Sequence, residues 1–236
     1  IDRALAAGIN FLDCAEMYPV NPVAKETAGR SEEFIGSWLA KSGRRDEIVL
    51  ATKIAGPGNV IRGKEAPNAK LLPQTGEASL KRLRTDVIDL YQIHWPARGS
   101  YAFRQNWTYD PSKQDGQKTR DHMAEVLPAM QKLVDEGKVR AFGLSNESTW
   151  GTMRWMAMAE EVGGPRVASV QNEYSLLCRL YDTDMAEMAV HEDVTLLAFS
   201  PLAAGFLTGK YQNNLVPEGS RRSLVPAMGG RMSDRV

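Results

Sequence analysis

The chain has 236 residues and a mass of 26.1 kDa, and its 29 basic and 29 acidic side chains give a formal net charge of zero. A nucleic-acid-binding protein usually carries a basic domain or patch, so this balance argues against a nucleic-acid partner. The hydrophobic fraction is 43%, which is typical of a folded protein, and no apolar run approaches the roughly 18 residues of a membrane span.

We expect one large α/β domain over residues 1–236, because α/β barrels of about 250 residues fold as single units. Two cysteines, Cys14 and Cys178, are too few for a disulfide framework and are typical of a cytoplasmic protein. The first residues, Ile1–Gly8, have the pattern of the second half of a helix, and Val225–Val236 lacks any terminating element. The sequence therefore predicts an internal piece of a longer protein, incomplete at both ends.

Six short apolar runs rich in β-branched residues predict buried parallel strands. They are Asn10–Ala15, Ile48–Ile54, Val87–Trp95, Val139–Asn146, Val167–Asn172 and Val194–Pro201. Amphipathic stretches between them predict helices at Ser31–Lys41, Ala78–Arg84, Met123–Glu136, Thr149–Glu161 and Asp182–His191. In the first of these helices, one apolar stripe is expected to contain Phe34, Ile35, Trp38 and Leu39. Strict alternation of strand and helix predicts a parallel sheet with helices outside it.

Doubly wound sheets and closed barrels both have this alternation, so the loops must distinguish them. A dinucleotide-binding doubly wound domain should carry G-x-G-x-x-G directly after its first strand. The nearest candidate, Gly56 and Gly58 with Gly63, has its third glycine misplaced and no helix directly after it. We therefore predict an α/β fold of the (β/α)8 (TIM) barrel type, truncated to about six of eight strands. The first strand, and the last strand with its helices, are expected to be missing.

Each predicted strand ends in a polar or chemically reactive side chain. In strand order these residues are Asp13, Lys53, His94, Ser145 with Asn146, Gln171 with Asn172, and Ser200. Any one of them could have a structural role, such as capping by Asp13 or core packing by His94. Because active sites of (β/α)8 barrels lie at the carboxyl ends of the strands, the whole set indicates an active site.

Two kinds of chemistry can be weighed first against this set. A metal site is not predicted, because the chain has three histidines and both His122 and His191 fall on predicted helices. A Schiff-base aldolase could use Lys53, since a lysine at the end of a barrel strand is a suitable nucleophile.

Proton transfer by Tyr18, five residues after Asp13, is the third possibility. A phenol with a pKa of about 10 needs a nearby cation to act as an acid–base group at neutral pH. Lys53 would supply the cation and Asp13 would hold it in place, while His94 would align the substrate oxygen. This arrangement employs all four residues, which the aldolase does not, and the sequence favours it.

Six segments of the chain resemble the aldo-keto reductases, and more closely their Tas-like NADP(H)-dependent branch. The segments are GINFLDCAEMYPV, IVLATKI, SLKRLRTDVIDLYQIHWP, EGKVRAFGLSNE, VQNEYSLL and LAFSPLAAGFLTGKY. They stand in the order and spacing of the family from Ile1 to about Tyr211. The resemblance implies NADP(H)-dependent reduction of aldehydes or ketones to alcohols. The catalytic residues that it implies are Asp13, Tyr18, Lys53 and His94.

The resemblance also implies contacts with NADP(H) and with a small-molecule carbonyl substrate. Ser145, Asn146 and Gln171 resemble the groups that hydrogen-bond the nicotinamide carboxamide, and Phe199 stands where an aromatic residue stacks on the ring. The other implied cofactor-binding residues are Asp13, Ser200, Pro201, Leu202, Gly205, Lys210 and Arg221. The implied substrate contacts are Tyr18, His94 and Trp95. The segment that would read the 2′-phosphate falls beyond Val236.

Two long loops at the carboxyl ends of the strands are expected to determine substrate specificity. After His94, the segment Pro96–Arg120 is expected to be a polar loop whose aromatic first half could wall an apolar pocket. Its aromatic residues are Tyr101, Phe103, Trp107 and Tyr109. The second loop is Ala55–Leu72. The rival to an enzyme is a cofactor-binding redox sensor of the same fold, as in the potassium-channel β-subunits, which retain the tetrad.

Overall fold

Six parallel strands form the central sheet of the computed structural model, which describes residues 1–20 and 23–226. The strands are β1 (Phe11–Asp13), β2 (Val49–Ile54), β3 (Ile88–Ile93), β4 (Val139–Ser145), β5 (Val167–Glu173) and β6 (Thr195–Phe199). Each strand pairs with the next one in the chain. A doubly wound sheet reverses its strand order partway, so this uninterrupted order confirms the barrel-type α/β fold over these six strands.

Helices lie in the connections between the strands. In the described residues the α-helices are α1 (Asp2–Ala6), α2 (Arg30–Ser42), α3 (Leu71–Leu83), α4 (Gly116–Asp135), α5 (Thr149–Val162), α6 (Asp184–His191) and α7 (Arg221–Leu224). Short 3₁₀ turns lie at Arg45–Glu47, Pro111–Lys113, Leu180–Asp182, Ala203–Thr208 and Gln212–Asn214. The helical layer thus alternates with the strands along the chain, as the sequence predicts.

The apolar core forms between the strands and the helices. Leu50, Ile88 and Phe142 from the strands belong to the same buried cluster as Leu83 and Leu127 from the helices. All five side chains are fully buried. Burying a side chain of this size contributes about 1.5–3 kcal/mol, so the layer of contacts fixes the sheet against its helices.

Two helices begin earlier than the apolar pattern predicts. α3 begins seven residues before Ala78, where the Asn68 side chain accepts hydrogen bonds from two backbone N–H groups at the helix start, at 3.1 and 2.8 Å. α4 begins inside the predicted loop, because the Asp115 carboxylate accepts from two N–H groups of its first turn, at 2.9 and 3.0 Å. A cap of this kind stabilises a helix by about 1 kcal/mol. The first turn of each helix therefore forms although it lacks the apolar periodicity of the rest.

The predicted apolar stripe of α2 is wrong at Phe34, whose side chain is 75% exposed. The buried face of the helix instead contains Glu32 and Gly36. Glu32 is fully buried because Arg82 of α3 and Thr52 of β2 both donate to its carboxylate, at 2.6 and 2.7 Å. These two hydrogen bonds turn the charged residue toward the sheet, and Phe34 is left on the outer face.

Candidate active site

Four polar side chains meet at the carboxyl ends of the first three strands. Lys53 of β2 is fully buried, and its Nζ lies 2.6 Å from Oδ2 of Asp13, the last residue of β1. The same Nζ donates to the backbone oxygen of Cys14 at 2.7 Å. The Tyr18 ring centroid lies 5.2 Å from this Nζ and 5.7 Å from the ring centroid of His94. The structure therefore brings together the four residues that the sequence singles out.

Backbone pairing between neighbouring strands sets these side chains beside one another. The N–H of Cys14 donates to the backbone of β2 at 2.9 Å, which extends the pairing of β1 past Asp13. From the other side of β2, the N–H of His94 donates to the β2 backbone, also at 2.9 Å. The side chain of Gln92 on β3 donates to Oδ1 of Asp13 at 3.3 Å. Lys53 on β2 thus lies between the end of β1, with Asp13, and the end of β3, with His94, and backbone hydrogen bonds hold both segments beside it.

Burial controls the protonation of this cluster. It raises the pKa of the Tyr18 phenol well above its ordinary value, and the negative charge of Asp13 adds to the rise. It lowers the pKa of His94 to about 3, with a further contribution from Lys53. It also lowers the pKa of Lys53, and Asp13 opposes that shift by favouring the ammonium. Near pH 7, Tyr18 therefore holds its proton and His94 is neutral.

The side chains of Tyr18 and His94 line a cleft with a volume of about 1140 Å³. Its lining includes Met17, Tyr18, His94, Trp95, Phe103, Phe199, Ser200 and Arg221. Among the described residues that line it, the charged side chains are Lys64, Arg98 and Arg221, and none is a carboxylate. A cleft of this size is sufficient for a small organic molecule beside part of a cofactor.

Phe103 is the aromatic residue of the loop after β3 that reaches this cleft. Its ring makes an edge contact with Trp95, with centroids 6.2 Å apart. The indole N–H of Trp95 donates to the backbone oxygen of Pro57 at 2.9 Å, which fixes the ring. Tyr101 and Trp107 line a separate pocket of about 290 Å³, and Trp107 is 87% exposed. Of the four aromatic residues in the predicted loop, Phe103 lines the cleft, next to Trp95, whereas the sequence predicted that the whole run could do so.

Ser145, Asn146 and Gln171 form a connected group at the ends of β4 and β5. Ser145 Oγ donates to the backbone oxygen of Gln171 at 2.8 Å, and Asn146 Nδ2 donates to the backbone oxygen of His94, also at 2.8 Å. Asn146 is buried and has a φ of 55°, which is rarely adopted outside glycine. Its Oδ1 is buried with no hydrogen-bond partner in the described part of the chain. Asn146 lines the pocket of about 290 Å³ rather than the cleft, and its Oδ1 is an acceptor that the N–H of a ligand could satisfy.

The segment after β6 contains the remaining predicted cofactor residues. Ser200 has a φ of 53° and lines the cleft, whereas Pro201 and Leu202 are exposed. Gly205 is buried at a φ of 100°, and a Cβ there would lie 2.7 Å from the Lys210 side chain. These residues therefore form a tight turn against which Lys210 packs, and Arg221 adds its charge from the start of α7.

Sequence reasoning missed two buried ion pairs beside the cluster. Glu16 pairs with Arg62, and Glu147 pairs with Arg98. Each links the end of a strand to a loop on the same face of the sheet. The sequence contained one signal for these pairs. Glu16 is a charged residue in the short segment between Asp13 and Tyr18, where the other residues are apolar.

The described residues lack the features of a metal centre and of a membrane-spanning helix. They contain no group of three or more His, Cys, Asp or Glu side chains placed to hold a metal ion. None of their helices combines the length and the apolar character needed to cross a lipid bilayer. Neither Cys14 nor Cys178, both within the described residues, forms a disulfide bond.

The Aldo/keto reductase family model matches residues 1–227 of the chain. The chain is 42% identical over 231 residues to Protein tas of Escherichia coli strain K12, which covers 95% of this chain and 64% of that protein. It is 35% identical over 189 residues to an aldo-keto reductase of Babesia bovis, covering 75% of this chain and 66% of the relative. The chain thus spans about two thirds of the length of these curated relatives.

Two solved structures have the same fold. One is an aldo-keto reductase from Klebsiella pneumoniae in complex with NADPH, with a TM-score of 0.64 and 27% identity, covering 91% of this chain and 59% of that one. The other, from the same organism, is a complex with NADP and acetate, with a TM-score of 0.63 and 26% identity. It covers 96% of this chain and 64% of the solved one.

Proposed function

The chain belongs to the aldo/keto reductase family, and from that premise we propose that it carries the active site of an NADP(H)-dependent oxidoreductase that reduces aldehydes and ketones to alcohols. The observation that carries the proposal is the cluster of Asp13, Tyr18, Lys53 and His94, in which Tyr18 and His94 line an open cleft and Lys53 is buried behind them. The NADPH and NADP complexes of the two Klebsiella proteins support the choice of cofactor. Since the chain covers 64% of its Escherichia coli relative, the reaction is proposed for the protein that contains it.

Tyr18 is the proposed general acid. Its hydroxyl carries a proton at neutral pH and is placed to donate it to the carbonyl oxygen of the substrate, but burial and the charge of Asp13 raise its pKa, so release of the proton needs a nearby cation. Lys53, whose Nζ lies 5.2 Å from the ring centroid, then stabilises the phenolate. Asp13 holds the ammonium through the 2.6 Å ion pair. Residues of the cleft would hold a nicotinamide, which would supply a hydride to the carbonyl carbon, and the proton from Tyr18 would complete the alcohol.

His94 is proposed to align the carbonyl group. A neutral imidazole has one N–H donor, and the low pKa of His94 keeps it neutral near pH 7. Its Nδ1 has no hydrogen-bond partner within residues 1–20 and 23–226. Asn146 holds its backbone oxygen at 2.8 Å. The main chain of His94 is therefore held in place, and the imidazole lines the cleft, where Nε2 would be the nitrogen that donates to the substrate oxygen.

The groups proposed to hold the cofactor lie on β4, β5 and the segment after β6. Asn146 Oδ1 would accept a hydrogen bond from the carboxamide, with Ser145 and Gln171 beside it. Phe199 lines the cleft and offers an aromatic face for stacking. The charges of Lys210 and Arg221 would attract the phosphates, next to the turn that contains Ser200, Pro201, Leu202 and Gly205.

Replacing Tyr18 with phenylalanine tests the assignment. The ring and its packing are retained while the proton donor is lost, so turnover should fall by at least about 100-fold. NADPH binding should be unchanged, because its proposed contacts lie on other strands. The measurement is NADPH oxidation, followed by absorbance with a reactive aromatic aldehyde, together with fluorescence titration of NADPH. Unchanged turnover would exclude Tyr18 as the acid.

Two measurements separate the alternative functions from the proposed one. Tight NADPH binding with negligible turnover in the unaltered protein would favour a redox sensor of the same fold. A Schiff-base aldolase would need no nicotinamide, and borohydride would trap its substrate as an adduct on Lys53. The nitrogen of Lys53 already contacts Asp13 at 2.6 Å and the Cys14 oxygen at 2.7 Å, which favours its role as a fixed cation over that of a nucleophile.

A further inference from the structure

A buried ion pair joins the Tyr18 segment to the loop after β2. Glu16 lies between Asp13 and Tyr18 in the chain and is 7% exposed. Its Oε1 accepts a hydrogen bond from Nε of Arg62 at 3.2 Å, and its Oε2 accepts from Nη2 of the same guanidinium. Two parallel hydrogen bonds from one guanidinium fix direction as well as distance, so this pair resists both sliding and rotation.

Glu16 is also attached to the strand that carries Lys53. Its Oε1 accepts a hydrogen bond from the N–H of Ala55, the residue directly after β2, at 2.7 Å. The backbone N–H of Glu16 donates to the backbone oxygen of Lys53 at 3.2 Å. Through its backbone and its carboxylate, Glu16 therefore fastens the chain to β2 two residues before Tyr18.

Arg62 is held by its own loop on the other side of the pair. Asn59 Oδ1 accepts from the N–H groups of Ile61 and Arg62, at 2.8 and 3.0 Å, and Asn59 Nδ2 donates to the Gly56 oxygen at 2.6 Å. Ile61 packs against the same small apolar cluster as Tyr18. A displacement of Arg62 would therefore disturb the small apolar cluster against which Tyr18 also packs.

We propose that Glu16 and Arg62 are positioning residues that fix the Tyr18 hydroxyl relative to Lys53. The inference rests on the proposed function, in which that hydroxyl delivers a proton to the substrate. Neither residue belongs to the four-residue cluster, and Glu16 and Arg62 do not line the cleft. Their effect is on alignment, and a displacement of about 1 Å in an active site can cost on the order of 100-fold in rate.

The decisive variant is the double substitution Glu16→Gln/Arg62→Met. Arg62→Met alone would leave a buried carboxylate without its partner and destabilise the fold, whereas the double variant removes both charges. Glutamine can still accept from the Ala55 N–H, so the loss is confined to the link with the loop. We expect kcat to fall on the order of 100-fold while the dissociation constant of NADPH is unchanged. The single variant Arg62→Lys keeps a cation opposite Glu16, so its kcat should be higher than that of the double variant.

Arg45→Met is the matched control. Arg45 pairs with Asp89 at 2.7 Å near the amino ends of the strands, at the opposite edge of the sheet from the cluster. This variant loses one largely buried ion pair while Asp89 keeps its second partner, Arg140, so it should be less stable and yet retain kcat. A double variant Glu16→Gln/Arg62→Met with unaltered kcat would overturn the proposal. So would an equal loss of kcat in Arg45→Met, because the effect would then follow stability.

A second measurement does not depend on turnover. Amide hydrogen exchange of residues 14–18 and 55–63 should be faster in the double variant than in the unaltered protein, because the link between the two segments is lost. Unchanged exchange in either segment would overturn the positioning role. If the unaltered protein reduced no carbonyl compound, the proposed function would fail, and the exchange rates would still decide whether the ion pair fixes the Tyr18 segment.

Discussion

Burial sets the chemistry of the individual residues around Lys53. It raises the pKa of the Tyr18 phenol and lowers the pKa of His94 to about 3, so both are neutral near pH 7. It also raises the pKa of the Cys14 thiol to about 12. Because the thiolate is the reactive form, Cys14 is a poor nucleophile although it lies next to the lysine. Cys14 is therefore a weak candidate for acid–base chemistry at neutral pH, which supports Tyr18 as the proposed acid.

The low pKa of His94 predicts that the protein loses stability on acidification. In the unfolded chain His94 titrates near its ordinary value of 6.5, so below that pH the unfolded state binds a proton that the folded state does not. The free energy of unfolding should therefore fall as the pH drops from about 7 toward 3, with a slope of up to about 1.4 kcal/mol per pH unit from this residue.

Urea denaturation at a series of pH values measures this effect. His94→Gln removes the titrating group, so its stability should fall less steeply between pH 6.5 and 4 than that of the unaltered protein. Other histidines and carboxylates are present in both proteins and cancel in the comparison. Equal slopes would show that His94 is readily protonated in the folded state.

At the scale of secondary structure elements, α2 and α3 pack closely against each other at Gly36. A Cβ added at Gly36 would meet the backbone oxygen of Arg82 and would lie 2.8 Å from the backbone carbon of Leu83. The Glu32–Arg82 ion pair, at 2.6 Å, crosses the same contact. Glycine is thus required at this position by the packing of two helices, since Gly36 lies within a helix and gains nothing there from its conformational freedom.

Gly36→Ala is accordingly expected to destabilise the protein. Alanine improves helix propensity by about 1 kcal/mol, but overpacking typically costs about 1–3 kcal/mol, and here the neighbouring atoms are backbone atoms that cannot turn away. The prediction is a net loss in the free energy of unfolding, measured by thermal or urea denaturation. Ser37→Ala, on the exposed side of the same helix, is the control and should be neutral or slightly stabilising. A stable Gly36→Ala protein would mean that the two helices can separate at little cost.

At the scale of the whole molecule, the described sheet ends at β1 on one side and at β6 on the other. β2–β5 are largely buried, whereas the residues at the β1 edge include Phe11, 38% exposed, and Ile9, 62% exposed. Unpaired N–H and C=O groups next to exposed apolar side chains form a surface on which other strands can pair.

The 236-residue chain expressed by itself is therefore expected to self-associate. Its apparent mass in size-exclusion chromatography with light scattering should rise with protein concentration, because the edge at β1 offers both hydrogen bonds and apolar surface. Lysine in place of Ile9 should reduce the association, since a charge on an edge strand opposes pairing. A single mass corresponding to one chain over the whole concentration range would contradict this expectation.

Much of the fold and of the candidate site could be predicted from the sequence because both follow local patterns. The six strands are apolar runs, and Asp13, Lys53 and His94 stand at or next to the ends of three of them. The starts of α3 and α4 were predicted too late because Asn68 and Asp115 stabilise turns that have no apolar periodicity. The roles of individual cofactor residues, such as Gln171 and Lys210, stay predictions.

The sequence by itself determined the alternation of strands and helices and the polar residues at the strand ends, because hydrophobic periodicity and strand direction are local properties of the chain. Only the tertiary structure decided which charges are buried together. Glu16 with Arg62 and Glu32 with Arg82 join segments that are 46 and 50 residues apart, and Phe34 is exposed as a consequence of the second pair. Such pairs depend on distances between elements, which no pattern along the chain contains.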